Sequence, residues 1–179
     1  MNAFESLGIE ARLVLAEEEL RDAFREAGRL VHPDGGGGEE AFARLREAFE
    51  MLLSPARRLR HWLELRGITV EARGTLAAGL LDLFAVISET TRQAEALIRK
   101  RDQAQSALAR ALLETETQAC REALQAAMRE VEQAIATECE GFAGYECAPD
   151  PSAAALAVRN LTFLEKWRAT LRGLFARLV

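Results

Sequence analysis

Proline costs a helix interior about 3 kcal/mol, and this 179-residue chain has only four, at positions 33, 55, 149 and 151. The stretches between them are rich in Ala, Leu, Glu and Arg, the residues that lose least on entering a helix. Period-two alternation, the mark of a half-buried strand, is absent over any useful length. The chain is therefore expected to be all-α, with its breaks near the prolines and the glycine clusters.

Apolar spacing divides those stretches into elements. A short helix is expected over residues 4–9, with Phe4 and Leu7 on one side. The next helix carries the stripe Leu20, Phe24, Ala27 and Val31 and ends before Pro33. Its first turn, Glu17-Glu18-Glu19, complements the positive end of the helix dipole where Ala16 supplies no cap. Arg21, Arg25 and Arg29 form a second stripe, four residues apart. Beyond the glycines at 35–38, Phe42, Leu45, Ala48, Phe49 and Leu52 mark a helix that stops or bends at Ser54-Pro55. A further helix, "ARRLRHWLELRG", closes on Gly67 as a residue past its C-terminus.

The non-periodic segment "RGITVEARG" suggests a boundary, giving a domain at 1–67, a linker at 68–74 and a second domain at 75–179. In that second domain the proline-free run from Thr75 to about Ala143 is too long for one helix, so a hairpin break is expected between Gln103 and Thr117. Thr115 and Gln118 have capping-box spacing. Leu124, Met128, Val131, Ile135 and Cys139 form the stripe of the following helix, and "GFAGYECAPDPSA" reads as a loop. The last helix, 152–178, packs through Leu164, Trp167, Leu171, Leu174 and Leu178. Three such helices make a small antiparallel bundle.

Chemistry of the chain's own is hard to assemble from these residues. There are two histidines, His32 and His61, and no nucleophile-elbow, zinc-protease or phosphate-loop signature, so no enzyme is expected. The glycine run follows no strand and precedes no Lys-Ser/Thr pair. Cys120, Cys139 and Cys147 lack metal-knuckle spacing and read as reduced thiols, the helical ones buried. No metal or cofactor is expected. A net charge of −5 argues against nucleic acid as a partner. The absence of a membrane-length apolar run or a signal-like N-terminus suggests a soluble, cytoplasmic protein with no membrane partner.

One tripeptide stands apart. His32-Pro33-Asp34 follows the arginine-striped helix and precedes a second amphipathic one. Pro-Asp-Gly is ordinary turn chemistry. A turn held beside a row of arginines also suits docking to an acidic partner through bidentate guanidinium contacts. By local chemistry both readings stand, and a purely structural helical adaptor is among the options.

Helix–HPD–helix, with Phe4…Leu7-Gly8 ahead and "FARLREAFEMLLSPARR" behind, resembles the J domain of DnaJ-type co-chaperones. More narrowly, "LGIEARLVL", "SPARRLRHWLELRG" and "VRNLTFLEKWR" resemble patterns of HscB, the J-domain co-chaperone of iron–sulfur cluster assembly. The resemblance spans nearly the whole chain. It implies a J domain followed by a client-binding bundle, stimulation of ATP hydrolysis by a DnaK/HscA-type chaperone, and delivery of an IscU-type scaffold. The ATPase contacts it implies are His32, Pro33 and Asp34, with Arg21, Phe24 and Arg25 on the preceding helix. The client contacts it implies are Leu83, Phe84, Ile87 and Phe163. Leu80, Leu83, Phe84 and Ile87 also give their helix more apolar width than one-sided burial needs, so by pattern they read either as a partner surface or as bundle core. The sequence departs from the family pattern at Gly35, where lysine is usual, and at Glu26, where the family is basic. It departs again at Ser88 and Thr91, two acidic positions of the client helix.

Overall fold

The computed structural model describes residues 2–31, 38–71 and 74–179. Regular structure among them is helical throughout: α1 (Ala3–Ser6), α2 (Glu17–Val31), α3 (Glu39–Leu53), α4 (Pro55–Glu64), α5 (Ala78–Gln103), α6 (Ala107–Leu112), α7 (Glu114–Glu140), α8 (Phe142–Cys147) and α9 (Pro151–Leu178). The chain divides into two compact units. The first is Met1–Gly74 with Glu138–Thr162, and the second is Thr75–Thr137 with Phe163–Val179.

In the first unit the local chemistry of the helix ends follows the sequence closely. Asn2 caps α1 by accepting from the Phe4 N–H at 3.1 Å. Ser54 caps α4 by accepting from the Arg57 N–H at 3.2 Å, with Pro55 at the first helical position. Gly67 adopts φ 73°, and the Ile68 N–H reaches back to the Leu63 carbonyl at 3.0 Å, the bond that closes a helix through a left-handed residue. The core holds Phe4, Leu13, Leu20, Leu45, Leu52, Leu59, Trp62 and Leu63, all buried. Trp62 donates its indole N–H to the Ala11 carbonyl at 3.1 Å, and the Arg66 guanidinium lies 3.5 Å over its ring.

The segment from α7 to α9 completes this unit. Phe142 is 1% exposed, and the Arg58 guanidinium stands 5.7 Å from its ring centroid. The Glu146 carboxylate accepts from the backbone N–H groups of Leu13 and, at 3.3 Å, Val14. Asn160, almost wholly buried, donates to Glu138 at 2.8 Å. Burial raises the Glu138 carboxyl above its usual range, and the Asn160 bond pulls the other way.

In the second unit α5, α7 and α9 run up, down and up. Lys100 near the end of α5 pairs with Glu116 at the start of α7 at 2.8 Å. Arg121 and Glu132 of α7 meet Leu178 and Arg172 of α9 in reverse order. Arg101 and Arg121 both donate to the Leu178 carbonyl, at 3.1 and 2.8 Å, satisfying an acceptor that the end of α9 leaves open. The break expected between Gln103 and Thr117 is present and holds the short α6, whose cap Ser106 accepts from the Ala109 N–H at 3.0 Å.

Three expectations need correction. Residues 142–147, read as loop, form α8, because burial of Phe142 outweighs the flanking glycines. Thr115 is no cap but lies inside α7, which already begins at Glu114. The helical cysteines are not buried: Cys120 and Cys139 are half-buried, and Cys147, which ends α8, is exposed. Burial and the neighbouring Glu116 raise the Cys120 thiol.

Two outcomes follow for the first unit. Phe142→Ala removes a buried ring and should cost about 3–5 kcal/mol in urea-induced unfolding, although its position lies outside residues 1–67. The second concerns pH. His61 is buried, stacks on Phe4 at 5.8 Å and accepts the Ala3 N–H at 3.1 Å. Desolvation lowers its pKa below 6.5, with Glu64 opposing. On acidification the unfolded chain therefore takes up this proton first, and stability should fall as pH drops below about 6.5. Thermal melts between pH 7.5 and 5 should show that fall, and His61→Gln, which keeps an acceptor, should flatten it.

Candidate functional site

Two surfaces, one in each unit, hold the residues singled out by the sequence. His32, Pro33 and Asp34 lie outside the described residues; in the sequence they join α2, which ends at Val31, to α3, which begins at Glu39. The helix leading to them is well defined. Phe24 is half-buried and stacks on Phe49 at 4.7 Å, with Phe42 tilted 6.1 Å away. That aromatic contact joins α2 to α3 and fixes the rotation of α2. Arg21 and Arg25 consequently face solvent, and with Glu18, Phe24 and Phe49 they line a depression of about 420 Å³.

The arginine stripe is less positive than its spacing suggests. Arg21 donates through Nε to Glu17 at 3.0 Å, Arg25 pairs with Asp22, and Arg29 pairs with Glu26 at 3.0 Å. Helix α2 carries five carboxylates (Glu17, Glu18, Glu19, Asp22, Glu26) against three guanidiniums. The pairs are exposed, with arginine side chains 62%, 71% and 77% accessible, so water screens them and a partner's charges can replace them.

On α5 and α9 the four candidate client contacts separate by exposure. Phe84 is 49% and Phe163 41% exposed, Leu83 is half-buried, and Ile87 is 3% exposed. Ile87 and Leu80 thus belong to the core and support the helix, leaving Phe84 and Phe163 as surface. Trp167, read from the sequence as core, is the element that joins them: Phe84 stacks on it at 5.6 Å and Phe163 tilts against it at 6.2 Å. Trp167 itself is 8% exposed, so it forms the floor of the patch. Leu81, 57% exposed and three residues before Phe84, extends the apolar surface along α5. Its contribution could have been read from its helical spacing. The role of Trp167 could not, because periodicity places a residue on a face without saying what covers that face.

Among the described residues there is no group of three or more His, Cys, Asp or Glu able to hold a metal ion. Nor is any described helix long and apolar enough to cross a membrane.

With this architecture in place, the chain can be set beside known proteins. No family model matches it. Forty-five residues, 25% of the chain, are 47% identical to the tetratricopeptide repeat and J domain-containing co-chaperone DNJ1 of Cryptococcus neoformans var. grubii, and they span only 9% of that protein. Solved structures match over 96–100% of this chain. An all-α J domain followed by a helical C-terminal domain is the class of fold to which they belong. The particular fold is that of the HscB co-chaperones. Chaperone HscB from Vibrio cholerae superposes with TM-score 0.60 at 22% identity over 100% of both chains. Human co-chaperone HscB superposes with TM-score 0.56 at 16% identity over 96% of this chain and 81% of that one.

The division between floor and surface can be measured. Trp167→Ala should cost about 3–5 kcal/mol in denaturant unfolding, as for a buried indole. Phe84→Ala, which loses half an exposed ring and one stacking contact, should cost about 1 kcal/mol.

Proposed function

We propose that the protein is a J-domain co-chaperone. On this reading it docks through α2 and the His32-Pro33-Asp34 tripeptide onto a DnaK/HscA-type ATPase, stimulates ATP hydrolysis there, and presents an IscU-type iron–sulfur scaffold to it in the cytoplasm. The observation that carries the reading is the HPD tripeptide at the junction of α2 and α3 in a chain with the HscB fold from end to end. The hydrolysis is the partner's chemistry. This chain contributes position: Phe24 on Phe49 sets the rotation of α2, which presents Arg21 and Arg25 to the ATPase. The Asp34 carboxylate is the group that would engage a guanidinium of the ATPase.

The client is held separately. Phe84, Phe163 and Leu81 over the Trp167 floor form an aromatic and aliphatic surface of the kind that concentrates binding energy at protein interfaces. The domain bounds of this proposal remain 1–67 for the J domain, 68–74 for the linker and 75–179 for the client-binding part. A J-domain co-chaperone with a different client is favoured only by Ser88 and Thr91, which stand where acidic client contacts are expected.

Substitutions separate the two activities. Asp34→Asn should abolish stimulation of an HscA-type ATPase while leaving scaffold binding intact. Phe84→Ala with Phe163→Ala should weaken scaffold binding by about tenfold or more, on the scale of about 1–2 kcal/mol per truncated interface anchor, and leave basal stimulation intact. Steady-state hydrolysis and titration calorimetry read the two arms. Stimulation that survives Asp34→Asn rules out the J-domain mechanism, and unchanged scaffold affinity in the double variant rules out the aromatic patch.

A further inference from the structure

Each arginine of α2 has a carboxylate three residues before it: Glu18 before Arg21, Asp22 before Arg25, Glu26 before Arg29. A three-residue step leaves the next side chain roughly 60° short of a full turn. The six residues therefore form two parallel stripes, one acidic and one basic, and all six are exposed. Phe24 lies on the far side of the basic stripe, against Phe49. The ladder is realised in the pairs Arg25–Asp22 and Arg29–Glu26, while Arg21 turns to Glu17 and leaves Glu18 on the rim of the Phe24 depression.

Pairing of Asp22 with Arg25 and of Glu26 with Arg29 supports the helix only weakly, as exposed ion pairs three residues apart do. Glu17, Glu18 and Glu19 serve the positive end of the helix dipole, but that effect fades within the first turn. Asp22 and Glu26 lie beyond it. Their surface consequence is larger. A uniformly acidic partner would gain contacts with the three arginines and press its own carboxylates against Glu18, Asp22 and Glu26. Like charges juxtaposed in an interface are strongly unfavourable. A partner carrying a row of cations beside a row of carboxylates satisfies both stripes.

We infer that α2 selects, among DnaK/HscA-type ATPases, one whose docking surface sets a cationic row beside an acidic row, and that Glu18, Asp22 and Glu26 determine this specificity. The inference rests on the co-chaperone reading and deepens it. The arginines supply attraction, and the carboxylates reject uniformly acidic surfaces that the arginines alone would accept.

The test uses the full chain with two purified probes, an HscA-type and a DnaK-type ATPase. The half-saturating concentration for stimulated single-turnover hydrolysis is measured for each. In the variant combining Glu18→Gln, Asp22→Asn and Glu26→Gln, the preference between the two ATPases should collapse by about tenfold, the scale of charge-pair effects at interfaces. The preferred ATPase should respond more weakly and the other more strongly. Asp22→Asn alone should move both in the same directions by less. Glu18→Asp with Asp22→Glu and Glu26→Asp should restore the wild-type preference. Melting temperatures monitor the fold throughout. A triple variant that acts more strongly on both ATPases, or that keeps the wild-type response to both, overturns the inference and leaves the co-chaperone reading in place. A wild-type chain that stimulates neither probe, or whose stimulation survives Asp34→Asn, overturns the reading and the inference together.

Discussion

Phe142 fills the first unit from far along the chain, and much else there is arranged around it. The Arg58 guanidinium lies over its ring, and Arg58 also donates to the Leu52 carbonyl at 3.2 Å, at the end of α3. Four residues on, Glu146 holds the backbone of Leu13 and Val14, in the loop that leads into α2. Leu13 and Glu146 are 133 positions apart, yet loop-closure entropy grows only logarithmically with length. Burying one phenylalanine side chain, worth roughly 1.5–3 kcal/mol, together with a charge-assisted bond to two backbone donors, is of the size needed to offset that closure. The loop ahead of α2 and the end of α3 are thus fixed by the same short helix.

The aromatic patch obeys a different constraint. An indole is large enough to be almost wholly covered in a helix bundle and still contact two further rings. Trp167 does this: it is 8% exposed and touches both Phe84 and Phe163, which are about half accessible. The apolar area left open is held rigid from below, because the floor is locked in the core while the upper rings stay available. Ile87 and Leu80, buried beneath the same helix, keep α5 from rotating the patch out of register.

Periodicity made most of the fold legible. Every long helix has an apolar stripe, and caps such as Ser54 and the Gly67 stop lie where side-chain and φ requirements place them. The two misread segments have different causes. In "GFAGYEC" the local signal is glycine, while the deciding interaction is burial of Phe142 in a core made largely from the first 74 residues. Thr115 and Gln118 have the spacing of a cap, but α7 begins one residue earlier, directly after α6. The first outcome is decided by residues far away in the chain, the second by the helix that ends at Leu112 just ahead of it. At the candidate sites, spacing gave the arginine stripe and the apolar width of α5. It did not give the floor under Phe84 or the exposure that separates Phe84 from Ile87, since both depend on what α9 places opposite.

The carboxylates of α2 also bear on how a chain of net charge −5 carries a row of exposed arginines. Exposed ion pairs contribute little to stability, because water screens them and the long side chains lose freedom when held. Weak pairing of Arg21, Arg25 and Arg29 with acids on their own helix therefore adds little rigidity and leaves each guanidinium exchangeable. The same pairing keeps the unbound face close to neutral, which limits non-specific attraction to polyanions. Phe24, by contrast, is held on Phe49 by a contact that no solvent ion can replace. The face thus joins a fixed aromatic contact to charges that can re-pair; under the proposed docking the aromatic would set position and the charges the choice of partner.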